Sequence, residues 1–343
     1  MGNEELGAFY YNIGDYSSAF KAYSRMREYC TTPKHLGEMT LKLILTSIAL
    51  ENWMHVQSNI YKLKSITLKP SDSEKVAPII SPLRGLAALA SANYAEAAIA
   101  FLDTDAGFAT LEPIAGVNFA RTVISPNDIA IYGALLSLAT MTRSELRTQV
   151  LENATFRSFL ELEPHLRRAI VDFVSGKYTA CLAILESYRA DYLLDVYLQR
   201  HVAAVYSLIR RKSMIAYFVP FSRVSIATMA TAFDTTEDVL TAELTDMIVS
   251  GALRDARVDL VEGMLVERTA DRRMEVVKRA VKVAEEKEKE LRVKLWSVNC
   301  REYGLEVKAP KNEGGLAPNV AGGGLGGRGM EMRRGGGGGY GRR

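Results

Sequence analysis

Cysteine, histidine and one-signed charge are all in short supply in this chain, and each shortage closes a class of structure or chemistry. The three cysteines, Cys30, Cys181 and Cys300, are odd in number and far apart, so no disulfide framework is written here. They read as reduced packing residues. The four histidines, His35, His55, His165 and His201, fall in none of the spacings that metal sites use. A zinc site needs three or four converging ligands and nothing local supplies two, so capping or surface roles are expected for them. No run approaches the roughly 18–20 uninterrupted apolar residues that would span a bilayer. Met1-Gly2-Asn3-Glu4-Glu5 lacks the basic and apolar regions of a signal peptide. The expected compartments are nucleus and cytoplasm, and no membrane contact is expected.

Charge is also less than it looks. The formal net charge is +3, but residues 311–343 hold six Lys/Arg against two acids, so the rest of the chain comes to −1. That excludes a global basic field for nucleic acid. There is no Walker loop, and Gly322-Gly323-Gly324 neither follows a strand nor opens a helix. No Ser or Cys has a nucleophile-elbow context. Paired acids such as Glu161/Glu163 and Glu285/Glu286 read as solvated helix faces. The sequence therefore assigns no catalytic residue, no cofactor and no metal, and points away from an enzyme.

What the chain does have is a recurring turn-and-helix signature: Gly14-Asp15-Tyr16-Ser17-Ser18-Ala19, Ala92-Asn93-Tyr94-Ala95-Glu96-Ala97 and Gly176-Lys177-Tyr178-Thr179-Ala180-Cys181. A helix ends on a small or turn-forming residue, a Tyr packs across the turn, and a small residue three positions on lets the next helix approach. That pattern writes an α-solenoid. Leu6, Gly7, Tyr10, Gly14, Tyr16, Ala19 and Tyr23 fall at the spacings of a tetratricopeptide-type helix pair. Helical periodicity runs over 4–215 with almost no strand-like alternation. Ser125-Pro126-Asn127-Asp128 and Thr142-Arg143-Ser144-Glu145 mark helix starts. Leu166, Ala169, Ile170 and Phe173 make a stripe that must face a neighbour. Residues 67–82, with Pro70, Pro78 and Pro82, and 103–126, with Gly107, Pro113, Gly116 and Pro126, break the periodicity and are expected to be loops.

The pattern changes over 216–268. Ile226, Met229, Ala230 and Phe233 predict one short helix. Thr235, with Asp238 three residues later, starts a second, with stripe Leu240, Leu244, Met247 and Ile248 and an end at Gly251. Ala256, Val258 and Leu260 then alternate with Arg257 and Asp259, Gly263 turns, and Met264-Leu265-Val266 returns. Helix, turn, helix and β-hairpin make a winged helix. Residues 269–303 read as a charged helix with Met274, Val277, Val281, Ala284, Leu291, Leu295 and Val298 on roughly one side, seeking a partner. The tail 311–343, Gly-rich with Arg328, Arg333, Arg334, Arg342, Arg343 and Tyr340, cannot bury enough apolar area to fold and is expected to be disordered.

A winged helix suggests DNA, but its second helix carries Glu237, Asp238, Glu243 and Asp246 and no Lys or Arg. Acids set against phosphates are unfavourable, so a packing and assembly module is expected. The wing can be an exposed edge that extends a neighbour's sheet, with Arg254, Arg257, Val258 and Val266 as its residues. It can equally be a solvated wing shielded by Arg254, Arg257 and Asp259. The tail's Arg, Gly and Tyr resemble RNA-binding segments, though one Tyr gives few stacking platforms, so at most weak RNA contact is expected.

A helical-repeat array running into a winged helix and a terminal helix resembles the PCI-domain scaffold subunits of the proteasome lid, the COP9 signalosome and a large translation initiation factor. Particular stretches are most similar to the first-subunit family of the COP9 signalosome: residues 23–35 (Tyr23 to His35), Ser125 to Gly133, Phe159 to Pro164, Tyr217 to Phe221 and Met229 to Thr236. The resemblance implies a non-catalytic scaffold in a complex that removes Nedd8 from cullins and so controls cullin–RING ubiquitin ligases. The zinc-binding HxHx…D motif of that complex's isopeptidase is absent here. It further implies a winged helix between the second and third subunits and a terminal helix in a multi-subunit bundle, with Val277, Val281, Leu291 and Leu295 serving assembly. A proteasome-lid scaffold and an RNA- or translation-associated PCI protein are the alternatives. The family carries a substantial segment before its first repeat, whereas this chain opens almost inside a helix pair, a departure from the family pattern. The Gly/Arg tail matches no part of the family pattern.

Overall fold

The computed structural model describes residues 2–67, 69–114, 116–254, 256–267 and 272–305. They belong to two compact units, residues 1–269 and residues 270 onward. The first unit opens with α1 (Gly2–Ile13), α2 (Tyr16–Arg25), α3 (Pro33–Ala49), α4 (Trp53–Ser65), α5 (Pro70–Ala90) and α6 (Tyr94–Leu102). It continues through α7 (Phe119–Thr122), α8 (Pro126–Thr140), α9 (Arg143–Glu145), α10 (Ala154–Leu160), α11 (Pro164–Val174), α12 (Tyr178–Ser187), α13 (Arg189–Leu194) and α14 (Val202–Phe218). Helices α1 and α2, α3 and α4, α5 and α6, and α11 and α12 pack as neighbours.

Those four pairs share one turn. At Gly14, Glu51, Ala92 and Gly176 the backbone takes φ of 90°, 55°, 56° and 83°, the left-handed region. Each of these N–H groups donates three residues back, to Tyr11, Ile48, Leu89 and Phe173, and the next N–H donates five back, to Tyr10, Ser47, Ala88 and Asp172. This double closure satisfies two carbonyls that the helix end would leave orphaned. The following residue then begins the next helix. Asp15, Asn52 and Asn93 accept from the N–H groups of Ser18, His55 and Glu96 at 3.1, 3.3 and 3.4 Å. An aromatic comes next, and three residues on Ala19, Val56, Ala97 and Cys181 are completely buried. Burial pushes the Cys181 thiol up to about 12, which keeps it an inert packing group. The pair at Glu51 escaped the sequence reading because Glu and Trp stand where the other copies have a small residue and Tyr.

Glycines let neighbouring helices touch. A Cβ on Gly7 would lie 2.5 Å from the Tyr23 ring, and one on Gly133 would lie 2.6 Å from the Phe156 ring. The main core runs from Leu41 to Leu265, while Ala19, Tyr23, Met39 and Leu43 form a separate small cluster that ties the first helix pair to α3. Both capping boxes form. Ser125 and Asp128 exchange bonds at the start of α8, and Thr142 and Glu145 do so at the start of α9.

The prolines of 67–82 require a correction. Pro70 is the first residue of α5, and Pro78 and Pro82 lie inside it. Each removes an N–H and crowds the carbonyl four residues back. Being four apart, they place both defects on one face, while Val76, Ile79, Leu83 and Leu86 continue a fully buried stripe across them. Tertiary burial overrides local propensity here. Segment 103–126 is irregular as expected, relieved by a 3-10 turn at Ala106–Thr110 and the short α7, with Phe108 and Phe119 completely buried as anchors.

Polar contacts fasten the connections. The buried Tyr132 hydroxyl donates to the Asp195 carboxylate at 2.7 Å, and Asp195 also accepts from the N–H groups of Tyr197 and Leu198. The Lys212 ammonium caps the end of α8, donating to the carbonyls of Leu138 and Met141 beside the Phe173 ring; burial lowers its pKa to about 8. His165 stacks on Tyr188 at 3.8 Å, meets the Tyr192 hydroxyl at 2.8 Å and faces Glu163 at 3.4 Å. His201 meets the Tyr94 hydroxyl at 3.2 Å, joining α14 to α6.

After α14 come β1 (Arg223–Ser225), α15 (Ile226–Ala232), α16 (Glu237–Val249), β2 (Ala256–Asp259) and β3 (Met264–Glu267), a winged helix whose sheet order is β1-β3-β2, all antiparallel. It docks on the repeats through rings: Phe233 stacks on Tyr178 at 6.3 Å and meets Tyr217 edge-on at 5.7 Å. Arg210 of α14 pairs with Glu243 of α16 at 3.0 Å. The second unit is described through α17 (Arg272–Glu302). The tail 311–343 lies outside the described residues.

Two tests follow from this packing. A left-handed L-residue costs about 1–2 kcal/mol, against about 0.5–1 kcal/mol for the extra chain entropy of glycine. Ala92→Gly should therefore stabilise by up to about 1 kcal/mol, while Gly176→Ala destabilises by about as much or more, its Cβ also crowding Arg143 at 3.0 Å. Urea-unfolding midpoints should move in opposite directions. The second concerns pH. Burial is the largest cause that lowers the pKa of both His165 and His201 below 6.5; Glu163 and Asp191 partly oppose it at His165, and Arg200 adds to it at His201. Just below pH 6.5 the unfolded chain therefore binds more protons than the folded one. This stability is present above 6.5 and is lost as pH falls into the lowered range. His165→Gln with His201→Gln should flatten that acid limb in thermal-melt profiles between about pH 6.5 and 5.

Candidate protein interaction surfaces

The winged helix is built from residues that bury one side of each element. Ile226, Met229 and Ala230 of α15 and Leu240, Leu244 and Met247 of α16 are buried, as the spacing predicts, and Gly251 ends α16 at φ 75°. The start of α16 shifts by one residue. Thr236 is the N-cap and Thr235 is not, because Asp234 takes φ 50° and the Thr235 N–H donates back to Ala230. Glu237, Asp238 and Asp246 are exposed and Glu243 is engaged by Arg210, so α16 presents acids and no cation to solvent.

The wing differs from the expected hairpin in one respect that matters. A third strand, β1, pairs with β3, so Val266 lies on the central strand between Arg223 and Arg257 and is 8% exposed. It is not on a free edge. The sequence hid β1 because three residues are too few to show alternation. The outer edge belongs to β2, where Arg257 is exposed and Val258 is half-buried against the core opposite Leu265. Arg254 lies before the strand and donates its Nε–H to the Gly251 carbonyl at 3.2 Å, tying off α16. Leu260 leaves the alternation. It and Val261 stand at the wing tip, 76% and 96% exposed, in a turn held by the Asp259 carboxylate, which accepts from the Val261 and Glu262 N–H groups. Two exposed aliphatic side chains on a fixed turn are an anchor that periodicity alone assigned to a strand.

On α17 every side chain from Arg273 to Glu302 is exposed. Met274, Val277, Val281, Ala284, Leu291, Leu295 and Val298 recur at alternating steps of three and four, the a and d positions of a heptad. One seam position is polar: Glu288, which accepts from Arg292 one turn on at 2.6 Å. Val276, Ala280 and Val283 widen the apolar face of the N-terminal half to about half the helix circumference. Lys287 and Lys294, at g positions flanking the seam, both donate to Glu290 at 2.7 Å.

Among the described residues no three His, Cys, Asp or Glu side chains converge as metal ligands, and no helix is long and apolar enough to cross a membrane. His35 and His165 each face one carboxylate, of Glu38 and Glu163, and the chain of groups from His165 ends at Tyr192, which is 3% exposed.

Comparison with known proteins finds two family models along the chain. A family model described as 26S proteasome subunit RPN7 matches residues 1–149, and one described as PCI domain matches residues 185–268, which take in α14 and the whole winged helix. COP9 signalosome complex subunit 1 of Emericella nidulans is 45% identical over 90% of this chain and 62% of its own length. The protein of the same name from Neurospora crassa is 36% identical over 92% of this chain and 69% of its own length. That of Arabidopsis thaliana is 37% identical over 91% and 68%. The chain thus spans roughly three-fifths to two-thirds of these relatives. With these identities and coverages, and with the PCI domain present, the chain belongs to the COP9 signalosome subunit 1 family, a scaffold-type family.

Proposed function

We propose that the chain is a non-catalytic scaffold subunit of the COP9 signalosome, acting in nucleus and cytoplasm and supporting deneddylation of cullins in cullin–RING ligases by holding other subunits in place. The observation that carries this reading is α17, 31 residues long with an apolar heptad seam in solvent that is interrupted at one position, Glu288. Monomeric proteins seldom leave such a face uncovered. Within a bundle of terminal helices from several subunits, Val277, Val281, Leu291 and Leu295 would each be buried, and the broad N-terminal half would meet two neighbours. The winged helix would then contact its neighbours, the second and third subunits, through the β2 edge and the wing tip. A proteasome-lid scaffold would share this architecture, and family membership favours the signalosome. The cullin-directed chemistry would belong to another subunit, with this one reaching the ligases only indirectly.

Two experiments test the reading. Leu291→Asp with Leu295→Asp should release the tagged chain from the reconstituted signalosome, with the thermal unfolding of the first unit unchanged; retained incorporation overturns the bundle assignment. Leu260→Asp with Val261→Asp leaves the winged-helix core untouched. It should lower recovery of the second or third subunit in pairwise co-purification several-fold, and parent-level recovery would remove the wing tip from the interface.

A further inference from the structure

A groove lies far along the chain from α17 and the wing. Where the small cluster around Tyr23 and Met39 fails to merge with the main core, α3 forms the floor of a groove of about 330 Å³ between α2 and α4. Its floor is apolar, made by Phe20, Leu36, Met39 and Leu43. Its rim carries Arg27, His55 and Lys62, with no Asp or Glu in the lining. The buried Asn59 carboxamide oxygen accepts from Lys62 Nζ at 3.3 Å and so holds the ammonium at the α4 wall. Arg27 and Lys62 are exposed, and no ion pair to either is present among the described residues. Met54 and Tyr61, 77% and 70% exposed, continue the surface along the outer face of α4 past Lys62 and Ser65.

We propose that this groove binds a short acidic peptide segment of a partner protein, seating one or two apolar side chains on the α3 floor and setting carboxylates against Arg27 and Lys62. The volume suits two aliphatic or aromatic side chains of an approaching segment. The charge selects the flanks, because the lining offers cations and nothing to repel an anion. Nucleic acid is the poorer fit. The Phe20 ring that would have to stack on a base is already engaged by His55 at 5.4 Å, and two cations give no track for a phosphate backbone. This inference is independent of the assembly reading, since it uses neither α17 nor the wing.

The test uses the full chain and a rhodamine-labelled peptide, Glu-Glu-Asp-Leu-Phe-Asp-Glu-Glu, followed by fluorescence anisotropy. Saturable binding is expected, weakened at least about tenfold by Arg27→Glu with Lys62→Glu and several-fold by Arg27→Gln with Lys62→Gln. Replacing Leu-Phe in the peptide by Gly-Ser should abolish it. Both substituted positions are exposed, and thermal melts check that the variants fold. The basic tail is intact in every variant, so binding carried by the tail would survive the substitutions and overturn the proposal. Absence of binding to the parent chain at 1 mM peptide overturns it too, as does equal binding of a peptide with Lys in place of every acid. Preferential binding of oligouridylate at the same residues would assign the groove to RNA and refute the peptide.

Discussion

The left-handed residue between paired helices is the constraint on which the rest of the first unit depends. At Gly14, Glu51, Ala92 and Gly176 a single residue with positive φ closes one helix, and its successor opens the next. There is no loop in between to absorb error. With the link fixed at one residue, the axial offset of the two helices is fixed as well, and so is the register in which their side chains meet. The completely buried Ala19, Val56, Ala97 and Cys181 follow from that register, because each lies one turn beyond the link where the two backbones are closest. Close approach elsewhere in the repeats has the same logic, with Gly7 under the Tyr23 ring and Gly133 under that of Phe156. A side chain of one more carbon at either glycine forces the ring away or the helices apart.

Pairs so closely defined can be stacked, but the stacking needs its own fasteners, and these are polar. Tyr132 reaches across 63 residues to Asp195, His201 across 107 to Tyr94, and Lys212 across 71 to the Met141 carbonyl at the end of α8. Each lies where an apolar contact would have left a carbonyl, carboxylate or hydroxyl unsatisfied in the interior, which costs more than a hydrogen bond gains. These bonds therefore specify which pair lies beside which. Apolar burial supplies most of the stability and is indifferent to such choices.

Much of this arrangement was legible in the residues, for reasons that also explain the failures. Capping boxes at Ser125 and Thr142 are local chemistry and could be read directly. The turns at Gly14 and Gly176 carry the residue that positive φ prefers, whereas Glu51 adopts the same conformation without it and was invisible. Pro78 and Pro82 signalled a break that the buried stripe of α5 overrules, since the free energy deciding that helix comes from α4, α6 and the irregular segment packed against it. On the wing, alternation implied that Leu260 was inside. The chain had already turned at Asp259, whose carboxylate bonds two backbone N–H groups and leaves Leu260 and Val261 outside. The edge assignment of Val266 failed through a partner strand of three residues, below the length at which any period exists. In each case the missing information was tertiary.

The surfaces left over differ in kind, and the difference bears on how such a chain works. On α17 the exposed apolar area is long, periodic and interrupted at one seam position by Glu288, a pattern that rewards another helix in one register and penalises burial opposite a second carboxylate. The wing tip offers two aliphatic side chains on a short turn, enough to index a neighbour but too small to hold one alone. The groove over α3 is smaller again and ringed by cations, suited to a flexible segment that arrives and leaves. A long seam, a short anchor and a small basic groove would therefore suit different partners under the readings proposed above: an extended helix, a single neighbouring surface and a flexible segment, in that order.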